Sequence, residues 1–437
     1  MSTKRFFRIA KEGSWIIIGQ IATVIASLVL VRVLTEKLSP SEYGQLSLGL
    51  TLTGMVGQVI MGGIGNGISR FYSIAAEKQD MQGYLSASAR LVIYGTVLIL
   101  IIGLLLLTGL YYLEYLEWLK LAVAALIFSL LSTYNSLLSG IQNAARQRMI
   151  VAFHGGLDGW LKILLALAVM LWLGNTSVSV IIGYALTSLF VTFSQLIFLE
   201  RLIKKQNNQS TSANQWLNKI WQYAWPFSTF GAFTWLQQIS DRWALETFAS
   251  TSDVGLYSVL FQLGYTPISI ALGIIMSLLA PILYQRSGDS SDHNRNKNVQ
   301  RIILRITVTG LLITITAFFI AMGLHEWIFR LFVANQFRVV SYLLPWVILA
   351  GGLFAVGQIL SLKLMSDINT KSMIIPKILT AIIGIACNIY GAKLAGLQGV
   401  VAGLIIFSLI YFLWMIYLNY HTPKPLKLKH TPTITGS

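Results

Sequence analysis

Long stretches without a single charged residue decide the fold class of this chain. They lie at 13–31, 44–69, 91–110, 121–145, 163–199, 220–240, 254–285, 306–324, 339–362, 378–392 and 394–420. A helix needs about 20 apolar residues to cross the hydrocarbon of a bilayer. The run 163–199 holds the end of one span and all of the next, and the interrupted segment 150–173 supplies another. Together they give about twelve helices. Outer-membrane barrels show short alternating segments instead of continuous runs, so strands are not expected. Composition agrees: the chain of 437 residues is 55% hydrophobic and 11% charged, where a soluble domain carries about 25% charged residues. The expected class is an all-α integral membrane protein.

The net charge of +16 would suggest a nucleic-acid partner if it were clustered. Threading twelve helices from a cytoplasmic N-terminus distributes it otherwise. Of 32 Lys and Arg residues, Lys37, Lys120, Arg330, Arg338 and Lys393 fall outside, Arg32, Lys162 and Arg242 fall within or at the edge of spans, and the remaining 24 face the cytoplasm. That is the positive-inside asymmetry, and it predicts cytoplasmic N- and C-termini in the cell membrane. Topology accounts for the basic charge, and no nucleic-acid partner is needed. The first apolar run, behind Lys4, Arg5, Arg8 and Lys11, is too long for a signal-peptide core and is read as a retained helix. Cys387 is the only cysteine, and the five histidines are scattered without metal-ligand spacing. No metal or cofactor is expected.

A polar stretch, 200–218, divides the chain. It separates a basic N-terminal segment (1–12) and a first six-helix bundle (13–199) from a second bundle (219–420) and a basic tail (421–437). The halves repeat one plan. In the first, Arg32 ends an apolar run, and Gly44 and Ser47 follow; in the second, Arg242 is followed by Gly255 and Ser258. Near the end of each half a helix stops and restarts within a few residues, at Gly174-Asn175 and at Ala395-Gly396. Both halves begin on the cytoplasmic side, so the repeat is parallel, with its two-fold axis along the membrane normal.

Charges inside spans mark function or a neutralised pair, because each costs about 2.5–3.5 kcal/mol at mid-bilayer. Arg32 lies near the outer end of helix 1. It either snorkels to the interface or, with Arg242, forms a cationic site between the halves. Asp241 either pairs with Arg242 or acts as a protonatable coupling group. Asp158 and Lys162, four apart, share one helix face. They form a structural ion pair or open Lys162 toward an anion. Helix 2 is dense in glycine, and its Gln58 and Asn66 are candidate cavity-lining residues. Trp235 either packs on a neighbour or stacks on a sugar ring.

Several segments have a familiar order and spacing. RVLTEKLSPSEYGQLSL at the helix 1–2 junction and YAWPFSTFGAFTWLQQISDRWAL followed by DVGLYSV resemble the Wzx-like polysaccharide and O-antigen flippases. So do NGISRFYS at 66–73 and CNIYGAKLAGLQGVVAG at 387–403. Those flippases are a branch of the multidrug/oligosaccharidyl-lipid/polysaccharide exporter superfamily. The chain departs from them at Asn388, which leads to Gly391-Ala392-Lys393 where the family has a proline-lysine pair. The resemblance implies two six-helix bundles in a V, around a central cationic cavity. It also implies a non-enzymatic flippase that carries undecaprenyl-diphosphate-linked oligosaccharide from the inner to the outer leaflet by alternating access, for polysaccharide biosynthesis. Its partners would be that lipid-linked substrate, membrane lipids, and the polymerase and chain-length regulator of the same pathway. Arg32, Arg242 and Lys162 would meet the diphosphate. Two other classes remain: a cation-coupled multidrug exporter of the superfamily, and a membrane polysaccharide polymerase or glycosyltransferase.

Overall fold

In a computed structural model, which describes residues 3–203, 213–287, 293–366 and 374–421, every regular element is helical. The first helices are α1 (Thr3–Lys37), α2 (Pro40–Gly54), a π-helical stretch Met55–Ile60, α3 (Met61–Glu77) and α4 (Met81–Tyr112). Next come α5 (Leu116–Ala144), α6 (Arg148–Leu173), α7 (Ser177–Ile203) and α8 (Ala213–Phe248). Then follow α9 (Thr251–Gly264), α10 (Thr266–Ser287), α11 (His293–Phe332), a 3₁₀ segment Asn335–Leu343, α12 (Leu344–Ser366) and α13 (Ile374–His421). Residues 204–212 of the polar linker and nearly all of the basic tail lie outside the described residues.

Ten of these segments are long and apolar enough to span a membrane. Two facts carry that number to the twelve expected. First, α13 has 48 residues, about 72 Å of helix and far more than a bilayer needs. It is broken at Ala395 and at Gly396, whose φ is +54°. Beyond the break the chain reverses, so that Gly399 packs backbone to backbone on Gly391 and Gly403 meets the Cys387 carbonyl. The element is therefore a helical hairpin with two arms. Second, α8 is long enough to cross but carries Lys219, Asp241, Arg242, Glu246 and several glutamines, which lower its hydropathy. Side chains such as Leu104, Leu105, Leu171 and Phe193 are exposed on the surface, an inexpensive arrangement only in hydrocarbon.

Turn chemistry sets the helix ends. Ser39 caps α2 by accepting from the Glu42 N–H, with Pro40 in the first turn. Asp80 caps α4 through the Gly83 N–H. Gly174 closes α6 with φ +89°, a conformation that favours glycine.

By contacts the chain forms two units. Unit 1 comprises Met1–Val259 with Glu326–Val340. Inside it α1 lies on α6 through small residues, with Gly19 against Ala152 and Gly159 against Ala26. Helix α8 lies along α3, with Gly63 beneath the Ala224 carbonyl and Gly67 beneath Ile220. Glycine at these positions lets the backbones approach where a Cβ would collide. Trp216 and Ile220 of α8 join Met61, Ile68, Tyr84 and Leu91 in one buried cluster. There the Trp216 indole donates to Asp80 at 2.6 Å. Unit 2 comprises Leu260–His325 and Ser341–Ser437. Its core joins Ile303, Val356, Leu360, Tyr411 and Met415, and Phe354 stacks on Phe407.

Candidate functional site

The repeat has a definite register. Lys37 and Phe248 end α1 and α8, and Pro40 and Thr251 begin α2 and α9. Each pair differs by 211 residues, as do Gly44 and Gly255, and Ser47 and Ser258. In unit 1 the two helix starts cross at the paired glycines. A Cβ on Gly44 would fall on the Thr251 carbonyl oxygen, and a Cβ on Gly255 would fall on the Pro40 carbonyl oxygen. The contact is reciprocal, as a two-fold requires. One turn along, the hydroxyl oxygens of Ser47 and Ser258 lie 2.7 Å apart.

Arg242 joins this crossing. Its Nε donates to Ser47 Oγ at 2.9 Å, and its Nη1 donates to the Gln238 carbonyl at 3.1 Å. Asp241 holds it from behind. That carboxylate is 3.3 Å from Nη1, accepts the Arg242 backbone N–H at 2.7 Å and accepts the Tyr257 hydroxyl at 2.7 Å. The side chain of Asp241 is 6% exposed and that of Arg242 is 17% exposed. The guanidinium also lies over the Tyr257 ring, 6.0 Å from its centre. Pairing is thus the role the geometry gives Asp241.

Arg32 has other partners. Its Nη1 donates to the carbonyls of Val333 at 2.9 Å and Arg330 at 3.4 Å, and its Nη2 pairs with Glu36 at 2.5 Å. Arg338 reaches the same two carbonyls. Both arginines thus cap the C-terminal end of α11, where the helix dipole favours a cation. Thr35 accepts the Ala334 N–H, and the Gln336 amide donates to the carbonyls of Thr35 and Leu38. The end of α1 is therefore stitched to the 330–338 segment. Register explains the difference between the arginines. Arg32 corresponds to Trp243, and Arg242 to Val31. One residue on a helix is about 100° of rotation, so the two guanidinium groups leave their helices in different directions.

The remaining candidates separate. Lys162 pairs with Asp158 at 2.6 Å, with Asn135 near the carboxylate. The ammonium lies between the rings of Phe128 and Tyr184, at 5.7 and 5.9 Å. That group is shared among α5, α6 and α7. Gln58, in the π-helical stretch, donates to Gln238 at 2.9 Å. This places it one turn of α8 from Arg242. Asn66 is exposed on α3. Trp235 donates its indole N–H to the Thr51 carbonyl at 3.0 Å and packs on Gly54, so it braces α8 against α2. Thr51, Gln238 and Tyr257 are members of the site that sequence reasoning missed. The 211-residue offset was the available signal, since it marks Tyr257 as polar where its counterpart, Leu46, is apolar. No group of three potential metal ligands occurs among the described residues.

The fold is that of the exporter superfamily. A structure described as the lipid II flippase MurJ in an inward closed conformation aligns with TM-score 0.68 and 14% identity, over 92% of this chain and 86% of that one. An inward-facing multidrug resistance MATE family transporter of the MOP superfamily aligns with TM-score 0.66 and 14% identity, over 92% and 98%. A Vibrio cholerae MATE transporter mutant aligns with TM-score 0.62 and 14% identity, over 94% of each chain. No curated protein matches the sequence. Residues 9–287 match the family described as polysaccharide biosynthesis protein. That match covers well over half of the chain, and the protein belongs to this polysaccharide biosynthesis family.

Proposed function

We propose that the protein is a flippase for lipid-linked oligosaccharide. It would move an undecaprenyl-diphosphate repeat unit from the inner to the outer leaflet of the cell membrane by alternating access. With both termini cytoplasmic, the Arg242 end of unit 1 faces outward. The observation that carries this reading is Arg242 itself. It is a permanently charged fork on a transmembrane helix, held in place by Asp241 and Tyr257 and still partly exposed. A guanidinium suits the paired oxygens of a phosphate. Family membership points to polysaccharide assembly, where the lipid carrier supplies such an anion. Glutamines on the same helix, the exposed Gln238 among them, are suited to sugar hydroxyls. The exporter alternative needs an acid open to a cationic drug, whereas Asp158 and Asp241 each hold a basic partner.

The test is flipping of a fluorescent undecaprenyl-diphosphate oligosaccharide in reconstituted vesicles. Arg242→Ala should lower the rate about tenfold or more, the scale of one lost charged hydrogen bond, while protein abundance holds. Arg242→Lys should recover part of the rate, because charge survives without the fork. Wild-type flipping by Arg242→Ala would overturn the proposal.

A further inference from the structure

We infer that the Gly44–Gly255 crossing, with the Ser47–Ser258–Arg242 contacts beside it, is a latch on the outer end of the transport path, and that a phosphate bound by Arg242 releases it. The inference rests on the flippase reading above. It adds how the anion site is coupled to opening.

Three observations carry it. First, at the crossing each backbone covers the other's glycine, so nothing can pass between α2 and α9 at this level while the contact holds. Second, what sits beside the crossing is polar and easily remade. The hydroxyls of Ser47 and Ser258 are 2.7 Å apart, and Arg242 Nε holds Ser47 at 2.9 Å. The nearby stitches are similar, for Ala334 and Gln336 form hydrogen bonds with the Thr35–Leu38 end of α1. Permanent packing in this unit is instead apolar, as in the buried cluster of α3 and α8. Third, Arg242 cannot serve both partners with the same edge. A guanidinium offers a bidentate phosphate either its Nε–Nη2 or its Nη1–Nη2 edge. Here Nη1 is held by Asp241 and the Gln238 carbonyl, which leaves the edge of Nε, the nitrogen bonded to Ser47. Ligand and latch therefore exclude one another, and linkage makes the exclusion reciprocal. An anion favours the open crossing, and a closed crossing weakens anion binding. Asp241 holds the guanidinium in place in either state, because its carboxylate meets Nη1 and not Nε.

Two experiments on the full-length protein in membrane vesicles decide the matter. In a Cys387→Ala background, Ser47→Cys with Ser258→Cys places two thiols where hydroxyls now touch, within reach of a disulfide. Mild oxidation should cross-link them and stop flipping, and a reductant should restore it. Flipping at the reduced rate by the cross-linked protein would overturn the latch. The second experiment needs no substrate and no activity. With Ser258→Cys alone in that background, a membrane-impermeant maleimide reports opening of the crossing. Arg242→Ala should raise the labelling rate about tenfold, the effect expected of one charge-assisted hydrogen bond on a two-state equilibrium. Inorganic pyrophosphate should raise labelling when Arg242 is present and leave the Arg242→Ala protein unchanged. Equal labelling with and without Arg242 would overturn the latch whatever the substrate proves to be. Loss of flipping in Arg242→Ala together with unchanged labelling would keep the anion site and refute only the coupling.

Discussion

Replacing Asp241 by alanine isolates the contribution of the buried carboxylate. The side chain is 6% exposed and makes contacts with Arg242 and Tyr257. Removing one member of a buried ion pair costs about 3–5 kcal/mol, because the other charge is stranded. Two features reduce that cost here. Arg242 keeps its bonds to Ser47 and to the Gln238 carbonyl, and it is 17% exposed, so part of its solvation can recover. About 2–3 kcal/mol is the resulting expectation, with loss of the Tyr257–Asp241 hydrogen bond contributing about 1 kcal/mol of it. For a unit of this size that loss lowers the unfolding midpoint by about 4–10 °C. Thermal unfolding in detergent, followed by tryptophan fluorescence, measures it. A double-mutant cycle separates the pair from the rest: Asp241→Ala, Arg242→Ala and the double variant should couple by about 2 kcal/mol, the double being milder than the sum. A coupling below about 0.5 kcal/mol, the ordinary error of additivity, would refute the claim that Asp241 holds Arg242.

Two other expectations concern the cations that lie away from the crossing. Arg32→Ala removes one of the two arginine caps from α11 and should cost about 1–2 kcal/mol of unit 1 stability in the same unfolding assay; Arg32→Gln, which retains a donor, should lose less. Lys162→Ala leaves Asp158 without its cation, beside a long contact to Asn135, and should destabilise by about 2–4 kcal/mol. The double variant Asp158→Asn with Lys162→Met should restore most of that loss and keep flipping intact, whereas loss of flipping in the stable double variant would instead make the pair functional.

What the sequence disclosed and what it withheld divide along a physical line. Features set by chain-local chemistry could be read directly. The spans follow from charge-free length. The hairpin turns at Gly174 and Gly396 fall where glycine permits positive φ. Asp158 and Lys162 pair because i and i+4 share a helix face. Rotation about a helix axis is not local, since it depends on which neighbour each face meets. Arg32 and Arg242 look equivalent along the sequence, yet a one-residue difference from the 211-residue register sends one to the end of α11 and the other to the two-fold crossing. Trp235 illustrates the same limit. Its position on the helix favours packing over sugar stacking without naming the neighbour, and the structure supplies Thr51 and Gly54. Helix α8 shows the opposite error of a hydropathy criterion. The residues that lower its apolar score, Gln238, Asp241 and Arg242, are those that build the site.

The asymmetry of the crossing has a physical reason of its own. The backbone obeys the two-fold, with Gly44 and Gly255 in reciprocal contact and Ser47 and Ser258 facing one another. The charge does not. Where the second repeat has Asp241, Arg242 and Tyr257, the first has Leu30, Val31 and Leu46. A symmetric arrangement would put an arginine on each serine, with the serine hydroxyls only 2.7 Å apart. Two guanidinium groups about 6 Å apart at an effective dielectric of about 20 repel by about 3 kcal/mol. Each would also need its own buried carboxylate, at a further desolvation cost. A single arginine beside the contact avoids the repulsion. The duplicated backbone therefore supplies the two-fold contact, while substitution in one copy supplies its single charge. Val31→Arg tests this directly. It should lower stability by several kcal/mol, from the repulsion and from a charge buried where Val31 is 2% exposed. Adding Leu30→Asp should recover part of that loss, and an unchanged unfolding midpoint in Val31→Arg would refute the electrostatic explanation.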